Sequence, residues 1–179
     1  MLSAVIGKFV ARKIVIIGVG NLLLGDEGVG VHAVRELKKK ALPQGVEVLD
    51  GGVAGIGLLD LFQGARKLVL IDAADMSLAP GALVRFTPDD IRSQTKIPKF
   101  SAHDVGVLEV LELARALGQC PPEVVIIGVQ PKEISWGMDL TPEVQASLPR
   151  VMEAVLKEID LTVTEDPVAT EKGSEIGPK

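Results

Sequence analysis

The sequence predicts an α/β fold, a three-layer α/β/α sandwich around a mostly parallel mixed sheet. Three observations carry that expectation. Short, continuous apolar runs rich in β-branched residues recur at Ile14–Ile17, Lys67–Ile71 and Val124–Val129, as buried strands of a parallel sheet require. Segments with helical apolar spacing alternate with them. The strands also end in polar or glycine-rich exits, Gly18-Val19-Gly20 and Asp50-Gly51-Gly52 among them, where open α/β sheets place their ligands.

Taken in order, residues 1–12 form an N-terminal extension without the charge pattern of a secretory signal. Strand one runs into Gly18 and Gly20, followed by Asp26, Glu27 and Gly28. A helix follows, with Val29, Ala33, Val34, Leu37 and Ala41 on its apolar side and Lys38–Lys40 at its cationic end. Val46–Leu49 is a second strand, and Leu58–Phe62 a short helix stopped near Gly64. Lys67–Ile71 leads straight into Asp72. Pro80-Gly81 marks a turn, and Ala82–Phe86 lies too close for a helical crossover, so it is expected to pair antiparallel with the third strand. Residues 87–100 read as a long mobile loop. Ser101 is a candidate cap for a helix reaching Gly118, with His103 in its first turn. Val124–Val129 is the last central strand. Thr141-Pro142-Glu143 opens a final helix to about Ile159, and residues 160–179 read as a disordered tail. The expected organisation is one domain over residues 13–159.

Composition narrows the function. Aromatic residues make up 3% of a chain that is 47% hydrophobic, so the core must be aliphatic. A net charge of −5 lacks the basic footprint of a nucleic-acid binder. A single cysteine, Cys120, excludes an internal disulfide or a Cys-rich zinc site and fits a reducing cytoplasm; nothing in its local sequence activates it. The apolar runs are too short for a membrane span.

Chain direction brings three potential ligands to one sheet edge. Glu27 follows strand one, Asp72 ends strand three, and His103 opens a helix that begins at the same edge. A helix N-terminus keeps an imidazole neutral, as metal ligation requires. Two carboxylates and one imidazole with open positions suit a divalent metal. Each residue also has a plainer reading: Glu27 favouring a helix start, Asp72 as a turn residue, His103 beside a cap. His32 reads as exposed, and Trp136 either covers the groove or packs in the core. Nucleotide binding is disfavoured, because Leu23 replaces the third glycine and Asp26 and Glu27 would repel a pyrophosphate. A Ser-His-Asp hydrolase lacks its G-x-S-x-G elbow.

The segments GVGNLLLGDEGVG, LDGGVAG, LVLIDAAD, SAHDVG, IIGVQP and LTPEV, in that order, resemble the hydrogenase maturation endopeptidases over residues 13–159. The resemblance implies a phosphorylase/hydrolase-like α/β/α sandwich that removes a C-terminal peptide from the nickel-loaded precursor of a NiFe hydrogenase large subunit. It places the metal-binding and catalytic trio at Glu27, Asp72 and His103, with Ni2+ supplied by the substrate. Asp50, Gly51 and Gly52 lie at the same edge and are candidates for holding the substrate peptide, or for a tight turn. The implied protein is a cytoplasmic, monomeric protease with no nucleic-acid or membrane partner. A non-catalytic, metal-sensing assembly chaperone that binds the same nickel-loaded precursor is the alternative.

Overall fold

The computed structural model describes residues 13–93, 99–100 and 106–164. Its elements are β1 (Ile14–Val19), α1 (Val29–Leu37), β2 (Val46–Gly52), α2 (Leu58–Leu61), β3 (Lys67–Asp75), β4 (Leu83–Phe86), α3 (Pro88–Ser93), β5 (Lys99–Phe100), α4 (Val107–Ala116), β6 (Glu123–Val129), α5 (Pro142–Gln145) and α6 (Leu148–Thr164). The sheet order is β2-β1-β3-β6-β4, with β5 attached to the far end of β3. β1, β2, β3 and β6 are mutually parallel, and β4 is antiparallel to β6.

Period-two alternation divides the core into two layers. Ile14, Ile16, Val69, Ile71, Val125 and Ile127 face α1 and α6. Val15, Ile17, Leu68, Leu70, Val124 and Ile126 face α2 and α4 on the other side. Both faces of the central strands are covered, which is why those strands read as unbroken apolar runs. The sandwich is thus the expected one.

Four local expectations are revised. β4 is antiparallel, but its neighbour is β6 and not β3. The brief 3-to-4 connection therefore does not make a hairpin; β6, arriving later in the chain, inserts between them. Residues 87–100 are not simply a loop. Thr87 and Asp90 exchange hydrogen bonds, Thr87 N to Asp90 Oδ2 at 2.7 Å and Asp90 N to Thr87 Oγ1 at 3.2 Å, a reciprocal cap that opens α3. The helix expected from Ser101 is described from Val107, because Gly106 is extended (φ −72°, ψ 165°) at its N-cap. The last helix is interrupted at Ala146–Ser147 and then continues past Ile159 to Thr164, so residues 160–164, expected in the tail, are helical. Residues 1–12 and 165–179 lie outside the described residues. Among the described residues no helix is long and apolar enough to cross a membrane.

Candidate active site

The carboxyl ends of β1 and β3 lie side by side, with Gly18 paired to Ile71. The chain leaves β1 for β2 on one side, while β3 stands on the other, so the crevice between them is where ligands bind in open α/β sheets. Glycine lets the next turn close over it. A Cβ on Gly30 would sit 2.2 Å from the Ile71 carbonyl oxygen and 2.4 Å from that of Val19. One on Gly18 would sit 2.0 Å from the Gly30 carbonyl oxygen. The start of α1 rests directly on the backbone of both strands. The 3-10 turn Gly25–Gly28, which carries Asp26 and Glu27, is thereby packed against β3.

The two acids of this turn do different things. Asp26 is fully buried and satisfied: Oδ2 accepts from Lys132 N (2.9 Å), Glu133 N (3.2 Å) and Thr141 Oγ1 (2.8 Å), and Oδ1 from Thr141 N (2.7 Å). It ties the segment after β6 to the turn after β1. Glu27 is 2% exposed, and its Oε2 is buried without a hydrogen-bond partner among the described residues. An orphaned carboxylate oxygen costs on the order of 1–3 kcal/mol or more, which makes Glu27 a candidate for ligand contact at this edge.

Asp72 is 0% exposed and pairs in register with Gly128 of β6. By alternation with Leu70 it projects to the α2/α4 face. Glu27 and Asp72 are thus two buried acids on adjoining elements at one edge. His103 lies outside the described residues, as do its neighbours from 101 to 105, and among the described residues no three His, Cys, Asp or Glu side chains cluster as a metal site. Asp50, Gly51 and Gly52 share this edge and build a turn. Asp50 Oδ1 accepts from Gly52 N at 3.0 Å, its other oxygen lies 3.5 Å from Arg35, and Gly52 has φ +45°. At Gly51 a Cβ would approach Ile17 to 2.6 Å, so close packing requires glycine there.

Sequence reasoning passed over two organisers of the edge. Gln130 is 7% exposed; its Oε1 accepts from Met76 N (2.7 Å) and Leu78 N (3.2 Å), and its Nε2 donates to Asp75 Oδ1 (3.3 Å) and Pro131 O (3.1 Å). It fixes the chain leaving β3, just beyond Asp72. Asp26 is the second, and its only signal was its place beside Glu27. His32 is half-buried, and its Nε2 lies 3.2 Å from the Met138 carbonyl oxygen. Trp136 is 84% exposed and belongs to no core. Cys120 is partly buried against the α2/α4 layer.

A family model described as hydrogenase maturation protease matches residues 31–158. The chain belongs to the hydrogenase maturation protease family. It is 40% identical over 136 residues to the hydrogenase expression/formation protein HupD of Bradyrhizobium diazoefficiens, covering 75% of this chain and 71% of that one. It is 35% identical over 146 residues to the hydrogenase 2 maturation protease of Escherichia coli, covering 80% and 88%. Among solved structures, the maturating endopeptidase HybD from Escherichia coli superposes with a TM-score of 0.73 at 33% identity, over 84% of this chain and 93% of that one. The maturation protease HybD of Thermococcus kodakarensis superposes with a TM-score of 0.68 at 31% identity, over 82% and 98%. This maturation protease is accordingly a hydrolase of peptide bonds that acts in hydrogenase processing.

Proposed function

We propose that the protease removes the C-terminal peptide from the nickel-loaded precursor of a NiFe hydrogenase large subunit, recognising substrate-borne nickel through Glu27, Asp72 and His103. The observation that carries this reading is the buried Oε2 of Glu27, without a hydrogen-bond partner among the described residues, beside the strand that holds Asp72. Chain geometry supports His103 as the third ligand. Phe100 pairs with Ala74, two residues past Asp72, and α4 leads into the amino end of β6, so its own start at Gly106 belongs to the opposite, carboxyl edge. His103 is three residues from each anchor, a reach of at most about 11 Å.

Two carboxylates and an imidazole do not by themselves select nickel from other first-row ions. Selectivity therefore comes from the precursor, which presents the metal already bound. The chemistry such an ion supplies is charge stabilisation at the scissile carbonyl or an attacking water. This chain's residues bind and orient it: the turn that carries Glu27 rests on backbone, and Gln130 fixes the exit of β3. Asp50, Gly51 and Gly52 line the same edge as a turn against which an extended peptide can lie. The protein works as a monomer in the cytoplasm.

The test is to incubate the protein with nickel-loaded and nickel-free precursor and follow the mass of each. Mass loss confined to the nickel-loaded form is expected. Tight binding with no cleavage would instead identify an assembly chaperone, and equal cleavage of both forms would remove nickel from the reading.

A further inference from the structure

Among the described residues eight large apolar side chains are exposed, and seven of them lie on the connections following β1, β2, β3 and β6, at the edge that carries Glu27 and Asp72. Only Leu117, at the end of α4, lies elsewhere. Three of the seven, Ile134, Trp136 and Met138, belong to one short segment after β6. Its exposure is not looseness. Besides the four hydrogen bonds to Asp26, Gly25 N donates to Gly137 O at 2.8 Å and Gly137 N donates to Leu23 O at 3.0 Å. His32 holds the Met138 carbonyl from the other side. The segment is stitched to the very turn that bears Glu27.

We propose that segment 131–141 is the recognition element for the polypeptide substrate, with Trp136 as its anchor and Asp26 as the residue that positions it. This rests on the reading that the bond is cut at the Glu27–Asp72 edge. A polypeptide that reaches Glu27 has to lie over these connections, and an exposed tryptophan on a hydrogen-bonded segment is the side chain best suited to anchor it. Tryptophan is over-represented among the residues that dominate interfaces, and a pre-ordered loop loses little entropy on binding. The charges around it narrow the partner. Lys132 is neutralised by Glu143 at 2.6 Å, whereas Glu133 and Asp139 are exposed and form no ion pair among the described residues. The fitting occupant is an apolar stretch of the precursor bordered by Lys or Arg. Because Asp26 and Glu27 are adjacent, whatever Trp136 grips is held at a fixed offset from the Glu27 carboxylate.

The chain contains one tryptophan, so 5-fluorotryptophan labelling gives a single fluorine resonance, that of Trp136. Adding nickel-loaded large-subunit precursor is expected to shift or broaden it. In processing assays Trp136→Ala is expected to raise KM at least tenfold while kcat stays within twofold, with an unchanged melting temperature because the side chain is exposed. An unmoved resonance together with a wild-type KM would overturn the proposal while leaving the protease reading intact. So would a resonance that shifts with the protein's own concentration, accompanied by dimer in sedimentation and an unaffected KM, since the surface would then serve a second copy of this chain. If the wild-type protein fails to cut the precursor, the protease reading falls, and the fluorine titration still decides whether the segment binds it.

Discussion

The carboxylate of Asp26 accepts the hydroxyl hydrogen of Thr141 at 2.8 Å, joining the turn after β1 to the residue that precedes α5 across 115 positions of chain. Glu27, the next residue, leaves a buried oxygen unpaired among the described residues. One acid of the pair holds the scaffold and the other is held by it.

Removing the first should therefore be a stability defect. Asp26→Ala strands the backbone amides of Lys132, Glu133 and Thr141. A loss of about 3 kcal/mol is expected in urea unfolding, given 1–3 kcal/mol for each unsatisfied buried group and partial rescue by water. A loss below about 0.5 kcal/mol, the level of an ordinary surface change, would show that Asp26 is not the tie described.

Glu27→Gln should separate stability from activity. The substitution alters a buried side chain whose Oε2 has no hydrogen-bond partner among the described residues, so the melting temperature should hold or rise, whereas processing should fall at least a hundredfold. Such opposition is characteristic of functional residues that strain their fold. Full processing by Glu27→Gln, Asp72→Asn and His103→Ala together would refute the assigned trio.

A third expectation concerns the opposite edge of the sheet. Glu158 lies 3.0 Å from Lys67 and 2.6 Å from Arg85, and the side chains of Lys67 and Glu158 are each 5% exposed. Burial raises the carboxyl pKa and is the largest single influence, but the hydrogen bonds and charges of Arg85 and Lys67 together outweigh it, so the pKa lies below the ordinary glutamate value. A carboxyl whose folded pKa is depressed contributes stability above its unfolded pKa, near 4.3, and loses that contribution as pH falls through the folded value. Wild-type stability should therefore decline on acidification below about pH 4.5. Glu158→Gln should show a shallower acid limb and, with Lys67 deprived of its buried partner, a loss of about 3 kcal/mol at neutral pH. An unaltered acid limb in thermal melts across pH 2–6 would contradict the assignment.

Two glycines make a matched pair for the packing argument. Gly30→Ala puts a methyl carbon against two carbonyl oxygens and should cost about 3 kcal/mol or more, or prevent folding. Gly57 has φ −63° and ψ −14°, and its nearest Cβ neighbour, that of Ala54, lies at 3.7 Å. Gly57→Ala should be neutral or stabilising by up to about 1 kcal/mol. Equal melting temperatures for the two variants would remove the claim that α1 is seated on bare backbone.

The layers were legible in the sequence because both faces of each central strand are covered, and apolar continuity says so directly. Asp72 was legible for the same reason, as an acid ending an otherwise unbroken apolar strand. The position of β4 was not legible. A short connection suggests adjacency, and only the later arrival of β6, parallel to β3 and paired along seven positions, displaces it. The cap of α3 was written in Thr87 and Asp90 but masked by the surrounding prolines and charges. The organising roles of Asp26 and Gln130 stayed hidden because most of their partners are backbone groups, which carry no sequence signature.

The bare-backbone seat of α1 also constrains how such an enzyme can change. Depth and tilt of the cleft floor between β1 and β3 are set by Gly18 and Gly30 lying against backbone carbonyl oxygens, with no Cβ on either residue to lengthen or trim. Any retargeting to a different client must therefore be written in the rim, at exposed positions such as Val53, Ile56 and Trp136, where a new side chain has room before the client arrives.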